Sequence, residues 1–164
     1  MTTQFGEGFV GEGGDAAHVN TVLGDVGGPV EQAWATSLAT PTTGFARFVC
    51  VARPGVAVVP PTLFVAKAAV DDPTSAHASL TWGAAQAGVA AGVGDAVRAG
   101  VLDPAGKLLI AAVWVSPAAA DASAVFRNNR SATAAALANG AAGGPSLEEF
   151  LQASAEPSNP YFPR

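Results

Sequence analysis

The chain has 164 residues, the size of one domain, and a net charge of −5 with no cluster of Lys or Arg, which argues against a nucleic-acid partner. No run reaches the ~18 uninterrupted apolar residues of a membrane span, so none is expected, and Met1-Thr2-Thr3-Gln4 has neither the basic nor the apolar region of a secretory leader. Hydrophobic residues make up 49% and charged residues 13%, much of the apolar share is Ala and Val, and there are 19 Gly. This composition predicts a tight core of small side chains at close backbone approach, and a surface partly covered by another subunit.

Residues 5–12 read as a first strand and 15–24 as a second. The period of two puts Ala16, His18, Asn20 and Val22 on one face of the second strand and Ala17, Val19, Thr21 and Leu23 on the other. Between them, Gly11-Glu12-Gly13-Gly14 lacks the Lys and the following helix of a phosphate-binding loop and is expected to be a tight turn. Gly27-Gly28-Pro29 turns into a helix over 29–40, with Pro29 in its first position and Val30, Ala33, Trp34 and Leu38 roughly on one side. A third strand covers 44–52 and contains the lone Cys50, a thiol expected to be buried and inert. One cysteine makes no internal disulfide, which fits a reducing compartment.

A fourth strand covers 61–70, with Leu63, Val65, Lys67 and Ala69 pointing one way. Asp72-Pro73 predicts an N-cap for a helical region over about 74–99, irregular near Trp82-Gly83 and carrying an apolar stripe of Ala85, Val89, Val93 and Val97. Residues 107–115 are almost continuously apolar and predict a central strand. A last helix is expected over about 118–138. The order ββαββαβα describes one mixed α+β domain over 1–140, followed by a Gly-, Pro- and Ser-rich tail over 141–164. Fraying is the default for such a tail, although Tyr161 and Phe162 are candidate contacts with a neighbouring subunit.

Three residues stand out chemically. His18 lies among apolar residues just after the turn, where an imidazole titrating near ~6.5 can exchange a proton at neutral pH. By position alone it is equally a hydrogen-bonded histidine of a half-buried strand. Lys67 is a lone cation in an apolar strand, readable as a site residue or as an ammonium snorkelling from an edge. Gln86 interrupts an Ala/Gly helix, where a solvated side chain is the plain expectation. His18 and His77 have no carboxylate or cysteine at ligand spacing, so no metal is expected.

The words around these residues occur in a recognisable order: Val10-Gly-Glu-Gly-Gly-Asp-Ala-Ala-His18, Gly28-Pro-Val-Glu-Gln-Ala33, Thr62-Leu-Phe-Val-Ala-Lys67, Gly83-Ala-Ala-Gln-Ala-Gly-Val89 and Asp95-Ala-Val-Arg-Ala-Gly100. Over about residues 8–140 the chain resembles the formaldehyde-activating enzymes, the tetrahydromethanopterin hydro-lyases. The resemblance implies a ribosomal-protein-S5-domain-2-like α+β fold, a cytoplasmic homopentamer with sites between neighbouring subunits, and no metal. It implies a carbon–oxygen hydro-lyase of one-carbon metabolism and formaldehyde detoxification. The substrates would be formaldehyde and tetrahydromethanopterin, the latter a co-substrate, and the products the methylene adduct and water.

An amine adds readily to formaldehyde. The resulting carbinolamine loses water far more easily than hydroxide, so a positioned acid speeds the step by typically 10²–10⁴-fold. By resemblance His18 is that acid, and Asn20, Val49, Lys67, Ala69 and Gln86 occupy substrate-lining positions. Three departures mark a diverged paralogue: Asn20 where the family usually has Asp, Ala69 where it usually has Thr, and Ala87 where it usually has His. The loss of polar groups at 20 and 69 motivates an alternative, a non-catalytic protein that binds or senses a pterin or formaldehyde. A third possibility keeps the chemistry and changes the aldehyde or pterin.

Overall fold

The computed structural model of the chain describes residues 2–159. Its elements in chain order are β1 (Gln4–Val10), β2 (Ala17–Asp25), α1 (Pro29–Ala39), β3 (Arg47–Val49), β4 (Val51–Arg53), β5 (Val56–Ala57), β6 (Thr62–Ala66), α2 (Ala76–Ser79), α3 (Gln86–Arg98), β7 (Lys107–Val115), α4 (Ala122–Ala141) and α5 (Leu147–Ser154). The architecture is α+β. Five strands form one sheet in the order β1-β2-β7-β6-β3, with β6 and β7 parallel and the other neighbours antiparallel. The nearly all-apolar β7 lies at the centre, as its sequence predicts. Among the described residues no helix is long and apolar enough to cross a membrane.

The sheet has two unlike faces. On β2, Ala17, Val19, Thr21 and Leu23 are buried, while His18, Asn20 and Val22 are half-buried on the opposite side, following the predicted alternation. The buried face packs against α4, which in turn packs on α3. Small residues make this approach possible. A Cβ on Gly6 or Gly8 of β1 would lie 1.8 or 2.1 Å from the carbonyl oxygens of Ala136 and Ala132 in α4. A Cβ on Gly88 or Gly92 of α3 would lie 2.5 Å from the carbonyl oxygens of Phe126 and Arg130. The expected apolar stripe is fully buried at Ala85, just before α3, and at Val89 and Val93 within it, with Val97 packed at its margin. Each fully buried Val contributes roughly 1.5–3 kcal/mol. Phe64 stacks on Phe48 with ring centroids 4.9 Å apart.

The other face is more open. Helix α1 covers its Gly24 end, where a Cβ on Gly24 would lie 2.4 Å from Val30 Cγ2, and Trp34 Nε1 donates to the Leu109 carbonyl at 3.1 Å. The remainder of that face carries the candidate site.

Several boundaries differ from expectation for local reasons. The third strand breaks at Cys50: its N–H still donates to the Thr62 carbonyl, but Val51 onward leaves the sheet to form the β4–β5 hairpin. Cys50 is completely buried and its thiol is pushed up to about 12 by that burial. The N-cap of the middle helix is Ser75 rather than Asp72. The Asp72 carboxylate instead accepts from the N–H and hydroxyl of Thr74, closing a turn before the helix begins. The irregularity expected at Trp82-Gly83 is a stretch of π-helix over Leu80–Ala85 between α2 and α3. The last long helix starts at Ala122, after Asp121 caps the N–H groups of Ser123 and Ala124.

Within 141–164, residues Leu147–Ser154 form α5. It is started by a capping box in which Ser146 and Glu149 bond each other's backbone N–H. Its apolar residues Leu147, Phe150 and Leu151 are exposed. Tyr161 and Phe162 lie outside the described residues.

Candidate functional site

The His18 side chain stands on the open face of the sheet because β2 alternates. The antiparallel register places Phe9 of β1 and Trp114 of β7 beside it, and Glu7 and Ala112 beside Asn20. Lys67 follows directly on β6, and its N–H continues the ladder by donating to the Val113 carbonyl at 2.8 Å. Lys67 therefore enters the same face from the far side of β7. Three residues distant in sequence converge: Lys67 Nζ donates to Asn20 Oδ1 at 2.5 Å and lies 3.4 Å from His18 Nδ1. His18 Nε2 is 3.2 Å from Glu7 Oε1, and the ring stacks on Phe9 with centroids 5.0 Å apart.

The partners assign the histidine tautomer. An ammonium only donates, so Nδ1 presents its lone pair to Lys67, and Nε2 carries the hydrogen donated to Glu7. Burial, and next the Lys67 charge, hold the His18 pKa below its ordinary value against the opposing pull of Glu7. Burial also holds Lys67 below the usual lysine range, with Glu7 pulling the other way. Burial on the half-covered sheet face is the leading cause of both shifts, and the Lys67 charge adds only to that of His18. The site sets the imidazole between Lys67 Nζ at one nitrogen and the Glu7 side chain at the other.

A cleft of about 720 Å³ opens next to this cluster. Glu7 and Asn20 line it together with Phe5, Val22, Asn139 and Glu149, the last two supplied by α4 and α5. The cleft thus touches the direct partners of both His18 and Lys67.

The structure brings together His18, Asn20 and Lys67 of the residues picked out from sequence. Val49 pairs with Leu63 on the edge strand β3. Ala69 lies beyond β6, where its Cβ would be 3.3 Å from one on Gly44. Gln86 is placed apart from the cluster: it is 8% exposed, and its amide pairs with the Val51 backbone, Nε2 donating to the carbonyl at 2.9 Å and Oε1 accepting from the N–H at 3.4 Å. His77 Nε2 lies 3.0 Å from the Val115 carbonyl, a structural tie between α2 and the end of β7.

Sequence reasoning missed Glu7. The signal was available: a hairpin turning at Gly13-Gly14 sets Glu7 opposite Asn20, and Phe5, Glu7 and Phe9 alternate with glycines that face α4.

A family model described as formaldehyde-activating enzyme (Fae) matches residues 5–162. The chain belongs to the formaldehyde-activating enzyme family. The chain is 34% identical over 164 residues to the 5,6,7,8-tetrahydromethanopterin hydro-lyase of Methanosarcina barkeri, covering 98% of this chain and 91% of that protein. It is 36% identical over 154 residues to the bifunctional enzyme Fae/Hps of the same organism, and 37% over 150 residues to that of Methanococcoides burtonii. These matches cover 92% and 89% of this chain but 39% and 37% of the bifunctional proteins, so the chain spans about two fifths of the length of those relatives. Glu7, His18 and Lys67 all fall inside the matched segment.

Proposed function

We propose that this formaldehyde-activating enzyme condenses formaldehyde with tetrahydromethanopterin, releasing water and leaving the carbon as a methylene bridge, with His18 as the proton donor. The observation that supports it is the His18–Lys67–Glu7 cluster beside a cleft, in a chain 34% identical to a protein named for that pterin.

The chemistry runs from the arrangement. A pterin nitrogen and formaldehyde form a carbinolamine. His18 Nε2–H protonates the hydroxyl while Nδ1 recovers a proton from Lys67, so water leaves; the second pterin nitrogen closes the ring and the proton it releases returns to Lys67. Exchanging Glu7 for the carbinolamine hydroxyl at Nε2 aims the proton. Holding both reactants in one cleft adds the advantage of proximity.

Asn20 and Lys67 are assigned as polar contacts to substrate and Val49 as an apolar one. Ala69 is assigned to the same lining, and Gln86 acts on it through the Val51 backbone. The working form is taken as a cytoplasmic homopentamer, serving one-carbon metabolism and formaldehyde removal.

Turnover separates this from a sensing role. At low formaldehyde the full-length protein should form methylene-tetrahydromethanopterin faster than the spontaneous reaction. Tight pterin binding by calorimetry with no rate above background would favour the sensor instead.

A further inference from the structure

Lys67 is held differently from the other lysine of the chain. The sequence contains two, Lys67 and Lys107. Lys107 forms an ion pair with Asp25. Lys67 Nζ touches two uncharged groups, the Asn20 amide oxygen at 2.5 Å and the His18 imidazole at 3.4 Å. Among the described residues no carboxylate lies within ion-pair distance of it. The charged and titratable groups that face it are His18 on β2 and, beyond the imidazole, Glu7 on β1.

A lysine next to a proton acceptor and without a neutralising anion has the setting in which amines attack carbonyls. We infer that Lys67 is itself a formaldehyde acceptor, holding the aldehyde carbon as a methylene iminium on Nζ until a second amine collects it. This rests on formaldehyde being the substrate, and it adds a covalent step to the proposed condensation.

The step balances with the groups present. Lys67 passes a proton from Nζ to His18 Nδ1. The freed nitrogen pair attacks the formaldehyde carbon, the carbonyl π pair moves to oxygen, and a proton shifts from nitrogen to that oxygen, giving an N-hydroxymethyl lysine. The protonated His18 returns its proton to the hydroxyl. The C–O bond breaks with its pair on departing water, and the nitrogen pair forms C=N. An ammonium and formaldehyde have become an iminium and water, with the positive charge conserved. A secondary amine then adds to the iminium carbon, its proton passes to Nζ, and the C–Nζ bond breaks, freeing Lys67 as the amine and leaving the carbon as an iminium on the second amine.

The test needs no pterin. The full-length protein is exposed briefly to low formaldehyde with sodium cyanoborohydride at neutral pH, and methylation of each lysine is followed by peptide mass spectrometry. Lys67 is expected to be methylated several-fold faster than Lys107. Asn20→Asp, which introduces a carboxylate at nearly unchanged shape, should slow labelling at Lys67, leave Lys107 as it was, and recover as pH is raised. Equal or slower labelling at Lys67, or no change in Asn20→Asp, would overturn the inference. The two proposals fail separately. Pterin condensation by a protein whose Lys67 resists trapping removes the iminium and spares the hydro-lyase activity; trapping at Lys67 without condensation does the reverse.

Discussion

Replacing Glu7 by Gln tests the electrostatics of the site with the least change of shape. Glu7 is the group that raises the His18 pKa, by its charge and by its hydrogen bond, while burial and Lys67 lower it. Removing that charge disfavours the imidazolium, so the pKa must fall further below its ordinary value. The side chains of His18 and Glu7 are 31% and 57% exposed, so their pair belongs with solvent-screened ion pairs worth ~0.2–1 kcal/mol. The expected displacement is downward and limited to what a pair of that strength supplies. The chain has two histidines, so proton NMR titration resolves His18 once His18→Gln has assigned its ring signal against His77. If His18 drives water loss, the corresponding limb of the pH–rate profile moves by the same amount in the same direction. A His18 pKa unchanged or raised in Glu7→Gln would refute the assigned contact.

Other consequences follow from packing. Gly8→Ala places a methyl group 2.1 Å from the Ala132 carbonyl and should cost about 1–3 kcal/mol, read as a lower denaturant midpoint; no loss would mean that β1 and α4 move apart easily. Gln86→Ala leaves the Val51 N–H and carbonyl without their side-chain partner and should cost about 1–3 kcal/mol, with faster amide exchange over the β4–β5 hairpin. Cys50, with its thiol raised to about 12, should resist iodoacetamide in the native protein and react after denaturation.

Much of this site was legible before any coordinates. The alternation around His18 and Lys67 assigned both side chains to sheet faces correctly, because period two survives wherever one face is buried. The central strand at 107–115 was equally plain. What strand periodicity could not supply was the pairing between strands: Lys67 reaches His18 across β7, a contact set by the parallel β6–β7 register rather than by any local spacing. Glu7 escaped notice because a carboxylate in a short glycine-rich strand reads as solvated until its hairpin partner is considered. Gln86 showed the opposite difficulty. Its sequence marked it as unusual, but only the break of the third strand at Cys50 explains the backbone groups that its amide now satisfies.

Whether His18 delivers the proton that releases water is decided by the rate of methylene-tetrahydromethanopterin formation with wild-type protein and His18→Gln. Both proteins are first shown to share the same circular dichroism and unfolding midpoint. The wild type should accelerate the reaction over its spontaneous rate, and the variant should lose that acceleration by a factor of ~10²–10⁴. A variant that keeps the full wild-type rate would contradict that role for His18.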